Sequence, residues 1–268
     1  MTTTMPLLYA PSLRGTDVPA LSRQHPRTQM RYYISPKTNL WYPSVTSVLR
    51  VINAPELERW KTNQLLDMLK TKVSNKTIGH YLKPRPGSTW AKRRTEILLD
   101  ADDREYADRG TMVHTWAETK AAIECGYDPA LPEVPARWEE WCAEWDKWRA
   151  GLDIEWLGLE VTGFNDTLMY AGTIDFVAYI NGELVMGDYK TSSKVHATYG
   201  AQLAALRNCE YLVDGRGTIH QVPEVDKCIV VQLRPGIRNT VAMDTVKGME
   251  RFKAMRSLWD LVYEDTDH

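Results

Sequence analysis

The pattern of hydrophobic and polar positions changes character near Ile154. Upstream, apolar residues recur at helical spacing. The run WYPSVTSVLRVI, from Trp41, sets Ser44 or Thr46 where a helix N-cap belongs, after a proline and ahead of an apolar stretch. The stretch from Ala91 to Glu124, rich in Ala, Glu, Arg and Leu, predicts one or two more helices beyond a break at Pro84, Pro86 and Gly87. Pro132 and Pro135 precede a helix carrying Trp138, Trp141, Trp145 and Trp148 on one face. Downstream, WLGLEVTG, LMYAGTIDFVAYI and ELVMGDYKTS are strand-like runs separated by turn residues, which predicts an antiparallel meander. A helix from about Tyr199 to Leu212, an apolar strand CIVVQL before Pro235 and Gly236, and a helix from about Asp244 to Tyr263 follow.

This is an α/β layout: a helical part over about 41–150, a small mixed sheet flanked by helices over about 154–235, and a C-terminal helix over about 244–263. Residues 1 to about 30 show no periodicity and are expected to form a flexible or surface-wrapped arm, with a single domain over 31–268. At 268 residues and 43% hydrophobic content, the chain can bury one substantial core. A net charge of -2 and a pI near 6.3 mean that any nucleic-acid contact must use local basic patches. Lys83, Arg85, Lys92, Arg93 and Arg94, around the Pro-Gly kink, form such a patch, although a run of this kind is as often a solvated face. The four cysteines are far apart with no CxxC pair, which argues against a zinc ribbon and for reduced thiols in a cytoplasmic protein. No basic leader precedes the short N-terminal apolar patch, and nowhere do about eighteen apolar residues run together, so neither a signal peptide nor a membrane span is expected.

The candidate chemistry comes from the meander. Asn181-Gly182 is a strong hairpin signal, because a type I′ turn needs positive φ at both central positions. With that turn Ile180 faces Glu183, and stepping back along both strands brings Asp175 opposite Asp188, with Cβ atoms roughly 4.5–5.5 Å apart. Like charges so placed destabilise a sheet unless a cation lies between them. Lys190 shares the face of Asp188, opposite Thr173, while Tyr189 points away. Two acids and a lysine suit a hard cation, Mg²⁺ or Mn²⁺, with the lysine orienting a water or stabilising transition-state charge: the chemistry of phosphodiester hydrolysis. A turn centred on Asn165-Asp166 would pair Glu160 with Ala171 and aim a further acid at the same face. His114 and Glu118, four apart on a helix, offer an imidazole ligand with a supporting carboxylate, in a spacing unlike that of zinc proteases.

Plainer readings compete. A lone Asp-x-Lys is ordinarily a surface ion pair, but a second aspartate aimed at it among Ile174, Phe176, Val177, Val185 and Met186 is hard to explain as a solvated face. The tryptophan stripe is better read as core bulk than as a base-stacking platform in a chain with three Phe. Ser44 and Thr46 could meet a phosphate, and plain helix capping explains them equally well.

Several segments, in order, resemble the RecB-type branch of the PD-(D/E)XK nucleases, including phage exonucleases and the mitochondrial genome maintenance exonuclease. They are PSVTSVL at Pro43 to Leu49, RGTMVHTWAE at Arg109 to Glu118, the Glu160 segment, AGTIDFVA at Ala171 to Ala178, GDYKTS at Gly187 to Ser192, and QLAAL at Gln202 to Leu206. The resemblance implies a restriction-endonuclease-like core and a DNA substrate. It implies that His114, Asp175, Asp188 and the backbone carbonyl of Tyr189 bind metal, that Lys190 is the catalytic lysine, that Glu160 is the acid before the core, and that Gln202 contacts substrate or orients the site. The chain departs from the family at Leu206, where a tyrosine is usual, and in its cysteines, whose spacing does not suit the iron-sulfur cluster of some relatives; no cluster is expected. The expected activity is exonucleolytic digestion of DNA ends in phage or bacterial replication, recombination or repair, with a phage recombination or single-strand-binding protein as a possible partner. The rivals are a site-specific endonuclease on the same core, a non-cutting DNA-binding protein and a structural zinc module.

Overall fold

Asn181 and Gly182 both take positive φ, 50° and 86°, and the two-residue turn they make organises the sheet. In the computed structural model, which describes residues 8–9, 22–24, 30–52 and 89–263, with backbone alone at 8–9, 89–104 and 238, the chain is mixed α/β. Strands β5 (Ile154–Asn165), β6 (Tyr170–Ile180) and β7 (Glu183–Lys190) form the expected antiparallel meander. Strand β10 (Lys227–Arg234) then joins β7 in parallel, and β11 (Ile237–Ala242) closes that edge antiparallel to β10. On the other edge, β5 pairs with β8 (Tyr211–Val213), which pairs with β9 (Ile219–His220). The sheet order is therefore β11-β10-β7-β6-β5-β8-β9, a mixed sheet flanked by helices.

Two short pieces of the N-terminal segment expected to carry no element are strands. Leu8–Tyr9 (β1) pairs parallel with β5, and Ser22–Gln24 (β2) joins β3 (Arg31–Ile34) and β4 (Trp41–Pro43) in a separate antiparallel sheet. Apolar periodicity cannot reveal strands this short. Helix α1 (Val45–Leu49) follows with Ser44 as its N-cap, then α2 (Thr89–Glu124), a 3-10 turn at Ala136–Trp138, α3 (Glu139–Arg149), α4 (Ala197–Arg207) and α5 (Thr245–Tyr263). Helix α4 stops short of the expected Leu212, because Tyr211–Val213 is taken up in pairing with β5.

The chain divides into two compact units, Met1–Val51 with Met112–His268, and Ile52–Thr111. Within the second unit Arg109 lies over the Tyr106 ring and the Thr111 hydroxyl donates to Ala107 O. Lys92, Arg93 and Arg94 lie on α2, but their side chains, like Lys83 and Arg85, fall outside the described residues.

In the first unit the sheet buries both faces. Met186 and Val230 pack with Val48, Leu203, Leu206, Phe252 and Trp259 from α1, α4 and α5. Their strand neighbours Val185, Tyr189, Ile229 and Val231 pack on the opposite side with Val113, Ala117, Trp145 and Trp148. Burying each of these large side chains contributes about 1.5–3 kcal/mol. Trp138, Trp145 and Trp148 are buried, so most of the tryptophan stripe serves as core, with Trp148 tilted against Trp145 and Phe176 and edge-on to Tyr189. Two close approaches depend on glycine. A Cβ on Gly187 would lie 1.8 Å from the Phe176 ring, and one on Gly248 of α5 would lie 2.3 Å from Gly200 O of α4.

Candidate active site

The β6–β7 register follows the hairpin, from Ile180↔Glu183 to Phe176↔Gly187, and ends there, one step before Asp175 and Asp188. The register is the one the Asn-Gly turn predicts, and its backbone pairing stops before Asp175 and Asp188 are reached. Where the ladder stops, the Asp175 carboxylate takes over the role of a backbone acceptor: its Oδ2 accepts the Tyr189 N–H at 2.8 Å and lies 3.2 Å from His114 Nδ1 of α2. Asp188 finds its partners from the other face. Gln202 Nε2 of α4 donates to its Oδ1 at 2.8 Å, and Lys190 Nζ lies 2.5 Å from its Oδ2. The ammonium is the partner of this buried oxygen.

Glu160 enters differently from expectation. The β5–β6 loop spans 166–169 instead of turning at Asn165-Asp166, so Asn165 pairs with Tyr170 and Phe164, not Glu160, pairs with Ala171. Val161↔Ile174 and Leu159↔Phe176 flank Glu160 and Asp175, which places the two acids level with each other across β5 and β6. Glu160 has a φ of 51°, a left-handed conformation in mid-strand that costs a non-glycine residue about 1–3 kcal/mol. Strain of this kind is commonest at functional sites.

The charges form one coupled group. Burial pushes the Glu160 carboxyl well above the usual carboxylate range, helped by Asp175, Glu118 and Asp188 and opposed by Arg31. Burial also acts to raise Asp175, but the charge and hydrogen bond of His114, with Lys190 and the Tyr189 N–H, outweigh it and hold Asp175 below its ordinary value. Asp188 is raised, by burial and by Asp175, against the pull of Lys190. Burial alone would lower Lys190 and His114; Asp188 and Asp175 keep Lys190 raised, and Asp175 does the same for His114. Among the three carboxyls of the cluster, Glu160 and Asp188 are pushed up and Asp175 is held down, so their environments differ. The carboxylate against His114 is Asp175, while Glu118 adds to the field at Glu160.

Other expected positions fall elsewhere. Ser44 is buried and its hydroxyl is turned inward, accepting the Ser47 N–H and donating to Ser47 Oγ, so it caps α1 and does not face solvent. Thr46 is exposed, with its hydroxyl 3.1 Å from Ser44 Oγ. Tyr189 buries its ring against Phe176 at 5.0 Å, and it is its N–H that the site uses. Tyr199, which no motif in the sequence points to, has its ring 5.2 Å from Lys190 Nζ.

No protein-family model and no curated protein matches this chain. The chemistry of the site rests on its own geometry. Carboxylate oxygens of Asp175 and Asp188 with the imidazole of His114 are a donor set of the chemistry that suits a hard divalent cation. Among the described residues, no three His, Cys, Asp or Glu side chains are gathered into a ready-made cage. Asp188 is drawn toward α4 and Asp175 toward α2, and the Lys190 ammonium is the cation that links their charges. The four cysteines are free thiols, and no described helix is long and apolar enough to cross a membrane.

Proposed function

We propose that this chain is a Mg²⁺- or Mn²⁺-dependent deoxyribonuclease with a restriction-endonuclease-like core, of the RecB-type PD-(D/E)XK branch, acting on DNA ends. One observation carries the reading: a half-buried lysine, Lys190, held against buried Asp188 at the point where the β6–β7 ladder ends beside Asp175. An ion pair with side-chain exposures of 18% and 3% bears a desolvation cost that a solvated surface pair avoids, and such pairs mark candidate sites.

Asp175 and Asp188, with His114 and the Tyr189 carbonyl, would hold the ion. When bound, the ion supplies Lewis-acid polarisation of a phosphate oxygen and acidification of a water. The chain's own groups do the rest. Lys190 presents an ammonium to the charge that develops on the phosphate. Gln202 fixes the Asp188 carboxylate by holding Oδ1, while Oδ2 pairs with Lys190. His114 and the Tyr189 N–H fix Asp175. Glu160, level with Asp175 across β5 and β6, would bring a third carboxyl to the site. Exposed Thr46 offers a hydroxyl to a phosphate and, separately, Lys92, Arg93 and Arg94 are a basic run that would meet a DNA backbone, in a cytoplasmic setting of phage or bacterial DNA recombination or repair.

The test is digestion of end-labelled single-stranded, blunt linear and nicked or closed circular DNA with Mg²⁺, Mn²⁺ or chelator. The exonuclease reading expects loss of linear DNA with either metal, none with chelator, and intact closed circles. Cleavage of closed circles would support an endonuclease on the same core. DNA left whole under every condition would overturn the enzyme reading.

A further inference from the structure

Lys190 ends β7, and the chain leaves the sheet just after it. A lysine at a strand end has a flexible four-carbon stem and needs something beyond its own ion pair to define where its ammonium sits. Helix α4 supplies that constraint twice. Tyr199 and Gln202 are three residues apart, so they share a helix face. Gln202 Nε2 holds Asp188 Oδ1 at 2.8 Å, and the Tyr199 ring lies 5.2 Å from Lys190 Nζ, within cation–π range. The same tyrosine is pinned at its far end. Its hydroxyl donates to Ser192 Oγ at 3.0 Å, Ser192 Oγ donates to Lys194 O at 2.8 Å, and Gln232 Nε2 donates to Ser192 O at 2.6 Å. His196, at the N-cap of α4, meets the ring edge-on at 5.4 Å. The segment between Lys190 and α4 is thus clipped to the helix that also orients Asp188.

We infer that Tyr199 is a positioning residue for Lys190: its ring covers the ammonium and its hydroxyl ties Ser192, so that lysine and carboxylate are set by one helix face. The inference rests on the nuclease reading for its kinetic consequence and on geometry alone for its structural one. The two consequences can be separated. A lysine ε-methylene held near an aromatic face has its proton signals shifted upfield by the ring current, whether or not the protein cuts DNA.

The experiment uses the full chain, labelled at lysine, with the Lys190 signal assigned by its loss in Lys190→Met. The wild type shows an upfield-shifted Lys190 ε-methylene; Tyr199→Phe retains it, and Tyr199→Leu returns it toward the position of a solvated lysine. In digestion of end-labelled DNA, Tyr199→Leu lowers kcat by about tenfold to a hundredfold with KM little changed, as a displacement of about 1 Å in a catalytic group does. Tyr199→Phe, which keeps the ring and loses the clip to Ser192, falls between. An unshifted Lys190 signal in the wild type, or the same shift in Tyr199→Leu, overturns the positioning role. So does an unchanged kcat in Tyr199→Leu when Lys190→Ala is inactive. If the wild type cuts no DNA, the nuclease reading fails while the spectroscopic arm still decides the placement of Lys190. If Tyr199→Leu does not fold, Tyr199→Phe carries the test: a shift lost despite the retained ring overturns the inference.

Discussion

At the residue scale, Asp188 is the group on which the site turns. It is 2% exposed, bonded by Gln202 and paired with Lys190. Removing one member of a buried pair leaves the other charge unsatisfied, so Asp188→Ala mixes loss of chemistry with loss of stability. Asp188→Asn keeps the volume and an acceptor for Gln202 while removing the charge. It should abolish metal-dependent digestion with the secondary structure seen by circular dichroism unchanged; digestion at the wild-type rate would remove Asp188 from the mechanism. Gly187 beside it is constrained by packing alone. Gly187→Ala would set a methyl 1.8 Å from the Phe176 ring, and overpacking of this kind costs about 1–3 kcal/mol, read as a lower urea midpoint. An unshifted midpoint would mean that Phe176 can turn aside.

At the scale of elements, legibility depended on whether a turn is specified locally. Asn181-Gly182 carries its own conformational signal, and the β6–β7 register follows from it as far as Phe176↔Gly187. The β5–β6 loop does not. It is held from a distance, with Glu210 accepting the N–H groups of Asp166 and Thr167 at 3.2 and 3.1 Å, and with Met169 at a φ of 51°. A residue more than forty positions away cannot be read from the turn itself. The loop is two residues longer than expected, which moves the partner of Ala171 from Glu160 to Phe164 and sets Glu160 level with Asp175. The end of the β6–β7 ladder was equally hidden, because a carboxylate standing in for a backbone acceptor leaves no trace in alternation.

The β8–β9 hairpin makes a pH-dependent prediction at the same scale. Burial works to raise Asp214, but its hydrogen bond to His220 and those from the Thr218 and Arg216 N–H groups outweigh it and hold the carboxyl below its ordinary value. A folded-state value below the unfolded one, about 3.9, stabilises the fold above that pH and loses the contribution as pH falls through the folded value. The difference in urea midpoint between wild type and Asp214→Asn should therefore be largest near neutrality and shrink on acidification through that range. A difference independent of pH would deny the carboxylate this role.

At the scale of the molecule, the mixed sheet, its flanking helices and the sharing of one strand face by Asp188 and Lys190 were legible from period and turn chemistry, whereas Gln202 entered only through the family resemblance. The short strands β1 and β2 were not, since two or three residues show no period. Nor was the division of partners between helices on opposite faces, α2 for Asp175 and α4 for Asp188. With a net charge of -2, binding to DNA must come from local patches. Replacing Lys92, Arg93 and Arg94 together by alanine should weaken DNA binding and flatten the dependence of log K on log salt by about 0.7–0.9 for each phosphate no longer neutralised. An unaltered slope would clear that patch of the role.

The nuclease reading stands or falls on whether the Asp188–Lys190 pair, set where β6 and β7 part, is a metal-dependent cutting centre. It is tested by the rate of nucleotide release from end-labelled linear DNA in Mg²⁺ by wild type and by Lys190→Ala, each checked for folding. Release by the wild type and a loss of about a hundredfold or more in the variant are expected. Equal rates in the two proteins, or a wild type that releases nothing with Mg²⁺ or Mn²⁺, would contradict it.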